Sequence, residues 1–124
     1  MVIILDNIRS LHNVGSIFRT ADAAGIEKIY LCGITPEPID RFGRIRSQLA
    51  KVSLGAEKTV AWEKVKVTDS LISKLKKEGY KIFAVEQSKN AIPYYKSNVK
   101  GKLSNIVLVF GNEVRGLSKT ILKK

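Results

Sequence analysis

Four short apolar runs punctuate an otherwise mixed chain: Val2 to Leu5, Ile29 to Cys32, Ile82 to Val85 and Ile106 to Phe110. None alternates apolar with polar residues, and runs of this kind are what strands buried on both faces of a parallel sheet look like. Between them the apolar positions take a helical period. Val14, Ile17, Phe18 and Ala21 recur at i, i+3, i+4 and i+7, with Asn13 as the N-cap and Gly25 placed as a C-cap. Ile45, Leu49 and Val52 make a second stripe before Gly55; Leu71, Ile72 and Leu75 make a third before Gly79. Strand alternating with helix predicts right-handed βαβ crossovers, and so an α/β fold with a mostly parallel sheet and helices on both faces. Pro36 to Gly43 and Gln87 to Lys102 read as loops, with no internal repeat. No apolar run approaches the roughly 18 residues that span a bilayer, and Met1 leads into Val2 without a basic, signal-like start.

Length and composition narrow the class. The 124 residues fit a single domain, and 44% hydrophobic with 27% charged residues is ordinary globular usage, which argues against a disordered or fibrous chain. The lone Cys32 makes no internal disulfide, and with a single histidine the chain offers no Cys/His zinc site; a cytoplasmic protein without metal or membrane span is expected. Charge points further. Twenty-two basic against 11 acidic residues leave +11, with a pI near 9.9, as in nucleic-acid-binding domains. Most of the lysine excess falls after residue 62 and is equally consistent with a solvated surface. Arginine, whose planar fork matches phosphate, clusters instead at Arg41, Arg44 and Arg46 around Phe42, where it is placed to follow an RNA backbone.

In open α/β sheets ligands bind beyond the carboxyl ends of strands, so the residues that follow each apolar run carry the chemistry. After the first run comes a polar turn, Asp6 to Asn13, feeding the first helix. There Arg19 stands off the apolar stripe, with the small residues Gly15 and Ala23 one turn to either side. Such a face admits the close approach of a ligand or another backbone; the alternative is a solvent-facing arginine beside Asp22. After the last run comes Gly111-Asn112-Glu113-Val114-Arg115-Gly116, whose two glycines allow positive φ and close approach of main-chain groups to a bound molecule. A tight loop closed by Glu113 and Arg115 is the plain alternative. Neither a phosphate loop nor a dinucleotide fingerprint is present.

Together these segments resemble the SpoU (TrmH-type) RNA ribose 2′-O-methyltransferases of the SPOUT superfamily. The first family motif is similar to Asn13-x-Gly15-x-x-x-Arg19 followed by Ala21 to Gly25, and the second to Gly111-Asn112-Glu113-x-x-Gly116; Lys51 to Glu57 and Val60 to Glu63 also read like family members. The resemblance implies an α/β domain with a C-terminal trefoil knot, S-adenosylmethionine as methyl donor, tRNA or rRNA as substrate, and a homodimer. It assigns Arg19 to the target ribose and its phosphate, with Asn13 nearby, and Gly111, Asn112, Glu113 and Gly116 to the donor pocket. Arg9, Arg41, Arg44 and Arg46 are the expected RNA contacts.

No residue here matches the family's third motif, so residues 1–124 are expected to form one domain truncated at its C-terminal end, without the knot-closing segment. Two other readings stay open at this point. One is a noncatalytic RNA-binding remnant using the same basic surface; the other is a small nucleotide-binding domain of flavodoxin-like kind.

Overall fold

The computed structural model describes residues 1–85 and 105–111. All four apolar runs are strands, and a fifth joins them: β1 (Val2–Asp6), β2 (Lys28–Cys32), β3 (Ala61–Val65), β4 (Lys81–Val85) and β5 (Ile106–Phe110). They form one sheet in the order β3-β2-β1-β5-β4, parallel at every pairing. The central strands carry the continuous apolar runs because both of their faces are covered. β1 is buried along its whole length. β3, at the edge, reads Ala-Trp-Glu-Lys-Val and is exposed or half-buried throughout, which is why its sequence lacks the apolar run of a central strand.

Helices α1 (Leu11–Ala24), α2 (Ser47–Ser53), α3 (Ala56–Thr59) and α4 (Thr68–Lys77) flank the sheet. The side chains of successive strand residues point to opposite faces. Ile3, Leu5, Ile29 and Leu31 therefore pack with Val14, Phe18, Leu49 and Ala56 from the first three helices, while Val2, Ile4, Val107 and Val109 pack with Leu71, Ile72 and Leu75 of α4. Phe18 and Leu49 are fully buried. Each such side chain contributes on the order of 1.5–3 kcal/mol of transfer free energy.

Two local expectations are corrected. The N-cap of α1 is Ser10, not Asn13: Ser10 has extended backbone and its hydroxyl accepts the Asn13 N–H at 3.1 Å, so the helix begins three residues earlier. Gly25 is the left-handed C-cap as expected, at φ 72°. In the second stripe Ile45 lies outside the helix. It bridges Ile39 in antiparallel fashion and is exposed, while α2 starts at Ser47 and buries Leu49. α2 ends at Leu54, and consecutive positive-φ residues, Leu54 at 52° and Gly55 at 91°, turn the chain into α3. Ser53 Oγ then lies 3.1 Å from both carboxylate oxygens of the buried Glu57, closing that turn.

Candidate functional site at the carboxyl edge

The sheet reverses direction of growth between the central strand β1 and its neighbour β5, and their carboxyl ends mark the crevice where open α/β folds take ligands. Both motif segments leave from this point. Gly111 follows β5 directly and is buried, whereas Asn112, Glu113 and Gly116 lie outside the described residues. The turn after β1 is pinned. Asn7 takes positive φ (56°), its N–H donates to the Cys32 carbonyl at 3.2 Å, and its Oδ1 accepts from the Ile34 N–H at 3.0 Å. Thr35, fully buried, holds the neighbouring strand ends: its hydroxyl accepts from the Ile8 N–H at 3.0 Å and lies within donating distance of the Leu5 and Cys32 carbonyls. From β3, Lys64 donates to the Gly33 carbonyl at 2.6 Å and to that of Thr35. Desolvation of its ammonium pulls the Lys64 pKa below the ordinary lysine value.

Asp6 ends β1 buried on the α4 side, where Thr68 Oγ1 donates to its carboxylate at 2.6 Å. Burial raises its pKa, opposed by that hydrogen bond and reinforced by the neighbouring Asp69 charge. Cys32 beside it is fully buried, and desolvation pushes its thiol up to about 11, so it is an inert packing group.

The small-residue face of α1 meets another backbone. A Cβ on Gly15 would stand 2.6 Å from the Leu49 carbonyl oxygen and 3.1 Å from Val52 Cβ, so α1 and α2 approach as closely as they do because residue 15 is glycine. That contact opens a groove of about 520 Å³ lined by Arg9, Ser10, Leu11, His12, Gln48, Lys51 and Val52. It gathers two cations and an imidazole at the first turn of a 14-residue helix that has no acidic residue there, an arrangement suited to anions. Lys51 and Gln48 were not singled out as contact residues by the sequence. They reach Arg9 and His12 through the packing of α2, which spacing does not reveal.

Asn13 is half-buried in the first turn of α1. Arg19 is exposed, and Asp22, its sequence neighbour one turn on, accepts a hydrogen bond from Thr59 at 3.1 Å. α1 runs back from the carboxyl edge, so Arg19, eight residues past Leu11, lies about 12 Å along the helix axis beyond the start of the helix. The two motifs thus start at one crevice, but Arg19 projects from farther down the helix layer. Of the clustered arginines, Arg41 and Arg44 are exposed. Arg46 is half-buried and fixed, its Nε donating to the Glu37 carbonyl at 3.0 Å and its N–H to that of Pro38 at 2.8 Å. Trp62 is half-buried against the first core cluster. Among the described residues no helix is long and apolar enough to cross a membrane, and no group of three or more His, Cys, Asp or Glu stands where it could hold a metal ion.

Residues 1–124 match the model of the SpoU rRNA Methylase family. The chain is 32% identical over 123 residues to a Staphylococcus aureus (strain COL) protein assigned to the TrmH family of tRNA/rRNA methyltransferases, covering 99% of this chain and 46% of the relative. Among solved structures, a TrmH/SpoU tRNA modifying enzyme of A. aeolicus superposes with a TM-score of 0.72 at 28% identity, over 98% of this chain and 57% of that one. The AdoMet-bound rRNA methyltransferase of Sinorhizobium meliloti superposes with a TM-score of 0.77 at 25% identity, over 99% and 43%. The chain spans less than half the length of the curated relatives it matches.

Proposed function

Because this chain belongs to the SpoU rRNA methylase family, we propose that it acts in S-adenosylmethionine-dependent methylation of ribose 2′-hydroxyls in tRNA or rRNA. The observation that carries this reading is topological: the helix bearing Asn13, Gly15 and Arg19 leaves central strand β1, and Gly111 leaves its neighbour β5, on the same edge of the sheet. The donor fits that crevice in kind, since a glycine directly beyond β5 brings main-chain N–H and C=O close without a side chain in the way. Gly111, Asn112, Glu113 and Gly116 would hold it there. When bound, S-adenosylmethionine supplies an electrophilic methyl group on a sulfonium.

A 2′-hydroxyl is a weak nucleophile, and the chain's own part is to hold it in line and to stabilise the negative charge that develops on its oxygen as the proton passes to solvent. Arg19, an exposed cation on a rigid helix, is assigned to the ribose and its phosphate, where a fixed positive charge holds the hydroxyl in line and favours loss of its proton, with Asn13 nearby. Arg9, Arg41, Arg44 and Arg46 carry RNA phosphate contacts in this reading. The basic groove at Arg9, His12 and Lys51 and the exposure of Arg41 and Arg44 support it, while Arg46 contributes mainly by holding its loop. A homodimer belongs to the same proposal; Ile34 and Val67, 58% and 53% exposed on the carboxyl side of the sheet, offer apolar area for it. Calorimetric titration with S-adenosylmethionine distinguishes an enzyme from a noncatalytic RNA-binding remnant. Saturable binding is expected; RNA binding with no donor binding would favour the remnant.

A further inference from the structure

Between β2 and α2 the chain forms a small, internally bonded hairpin. Ile39 and Ile45 bridge in antiparallel fashion, the Asp40 N–H donates to the Arg44 carbonyl at 2.8 Å, and the Gly43 N–H returns to the Asp40 carbonyl at 3.0 Å. Asp40 Oδ1 accepts from the N–H groups of Phe42 and Arg44 at 2.8 and 3.0 Å, and Arg46 ties the base to Glu37 and Pro38. At the tip of this ordered turn stands Phe42, 70% exposed, with the Arg41 guanidinium 4.9 Å from its ring centroid. None of the hydrogen bonds that shape the hairpin uses the Phe42 ring, so stability of the turn does not explain a phenylalanine held in water there.

We propose that Phe42 is a base-stacking platform, and that the hairpin therefore selects RNA with an unpaired nucleotide; this rests on the RNA reading above and deepens it. An aromatic face flanked by cations is how single-stranded nucleic acid is bound, with ring against base and arginine against phosphate. Arg41, over the ring, and Arg44, two residues beyond it in sequence, are both exposed, and the carboxylate closest in sequence, Asp40, is occupied by main-chain N–H groups. A second copy of this chain is a poor occupant, because pairing two such tips brings four arginines together. A prearranged turn also loses little conformational entropy on binding. In a duplex the bases are already stacked on one another, so the platform has nothing to take.

The test is binding of the protein to single-stranded oligoadenylate and to the same strand annealed to oligouridylate, each across a salt series. Phe42 is exposed and the turn is held by backbone and Asp40, so Phe42→Ala keeps the fold. It is expected to weaken oligoadenylate binding roughly five- to a hundred-fold, the range for one stacked base, and to leave duplex affinity and the salt slope unchanged. Phe42→Tyr retains affinity, and Phe42→Leu behaves as Phe42→Ala because it has no ring face. Equal loss on both RNAs, full retention by Phe42→Leu, or a Phe42→Ala effect confined to self-association in light scattering overturns stacking. Unchanged oligoadenylate affinity in Phe42→Ala, with the salt slope still flattened by Arg41→Glu and Arg44→Glu, overturns stacking alone and leaves the RNA reading standing. Salt-independent binding throughout overturns both.

Discussion

Two loops leave the carboxyl edge of the sheet, and they put polarity to opposite uses. The turn after β1 is polar in sequence, yet Asp6 and Ile8 are 4% and 2% exposed and its main chain is bonded into the ends of β2. The loop after β2 starts in the same network, with Thr35 fully buried, and then departs to expose Phe42 and two arginines. The first is scaffold at Asp6 to Ile8 for the helix that carries Asn13 and Arg19, and only its later residues, Arg9 and His12 among them, line the basic groove. The second presents an exposed aromatic and two exposed cations, the surface proposed above to meet RNA. Polar residues in a turn therefore report what the backbone needs as often as what a ligand needs, and the difference lies in hydrogen-bond partners rather than composition.

Thr35 joins the two loops, and Thr35→Val has the largest expected effect on both. The substitution keeps the shape but leaves the Ile8 N–H without its acceptor in a buried site, so a loss of about 2–3 kcal/mol is expected from denaturant unfolding, with the turn after β1 exchanging its amide protons faster. A smaller effect is expected at the helix seam. Gly15→Ala places a Cβ against the Leu49 carbonyl and forces α1 from α2, at a cost of about 1–2 kcal/mol after the gain in helix propensity. The groove at Arg9 and Lys51 should deform with it, weakening RNA binding while hairpin variants remain additive.

The smallest effect concerns Asp6. Its folded pKa is raised, chiefly by burial, so the folded state binds its proton more tightly than the unfolded chain, and its contribution to stability falls as pH climbs from the ordinary value of 3.8 through the raised one. Asp6→Asn keeps an acceptor for Thr68 and removes the buried charge. It should therefore stabilise the protein at neutral pH by less than about 1 kcal/mol, with the gain vanishing as pH drops below 3.8, as read by thermal unfolding across pH. A gain that grows at low pH would reverse the sign assigned to this group.

The apolar runs made four of the five strands legible: β1, β2 and β5 are interior parallel strands that advertise burial on both faces, and β4, although at the edge and largely exposed, still carries the run Ile82 to Val85. β3 escaped because Glu63 and Lys64 interrupt its apolar residues, and α3, with four residues, is too short to show a period. The motif around Gly15 was legible as a place of close approach, but the sequence left open which partner approaches; the backbone of α2 does. Ser10 displaced Asn13 as the cap since a serine at N-cap needs only the N–H three residues on, and several polar residues in that turn compete for the role. Of the basic groove only Arg9 was legible, as Lys51 joins it through tertiary packing.

Methyl transfer from radiolabelled S-adenosylmethionine to tRNA and rRNA, measured in a single turnover with mapping of 2′-O-methylated ribose, decides between ribose methylation and its alternatives when the protein is compared with its Arg19→Ala variant. Arg19 is exposed, so the variant should fold as the parent does. Label is expected at a ribose 2′-oxygen, with a rate lowered on the order of 10²-fold or more in Arg19→Ala, the scale for loss of a preorganised charge contact. Label on a base, or an Arg19→Ala rate equal to that of the parent, would contradict that expectation.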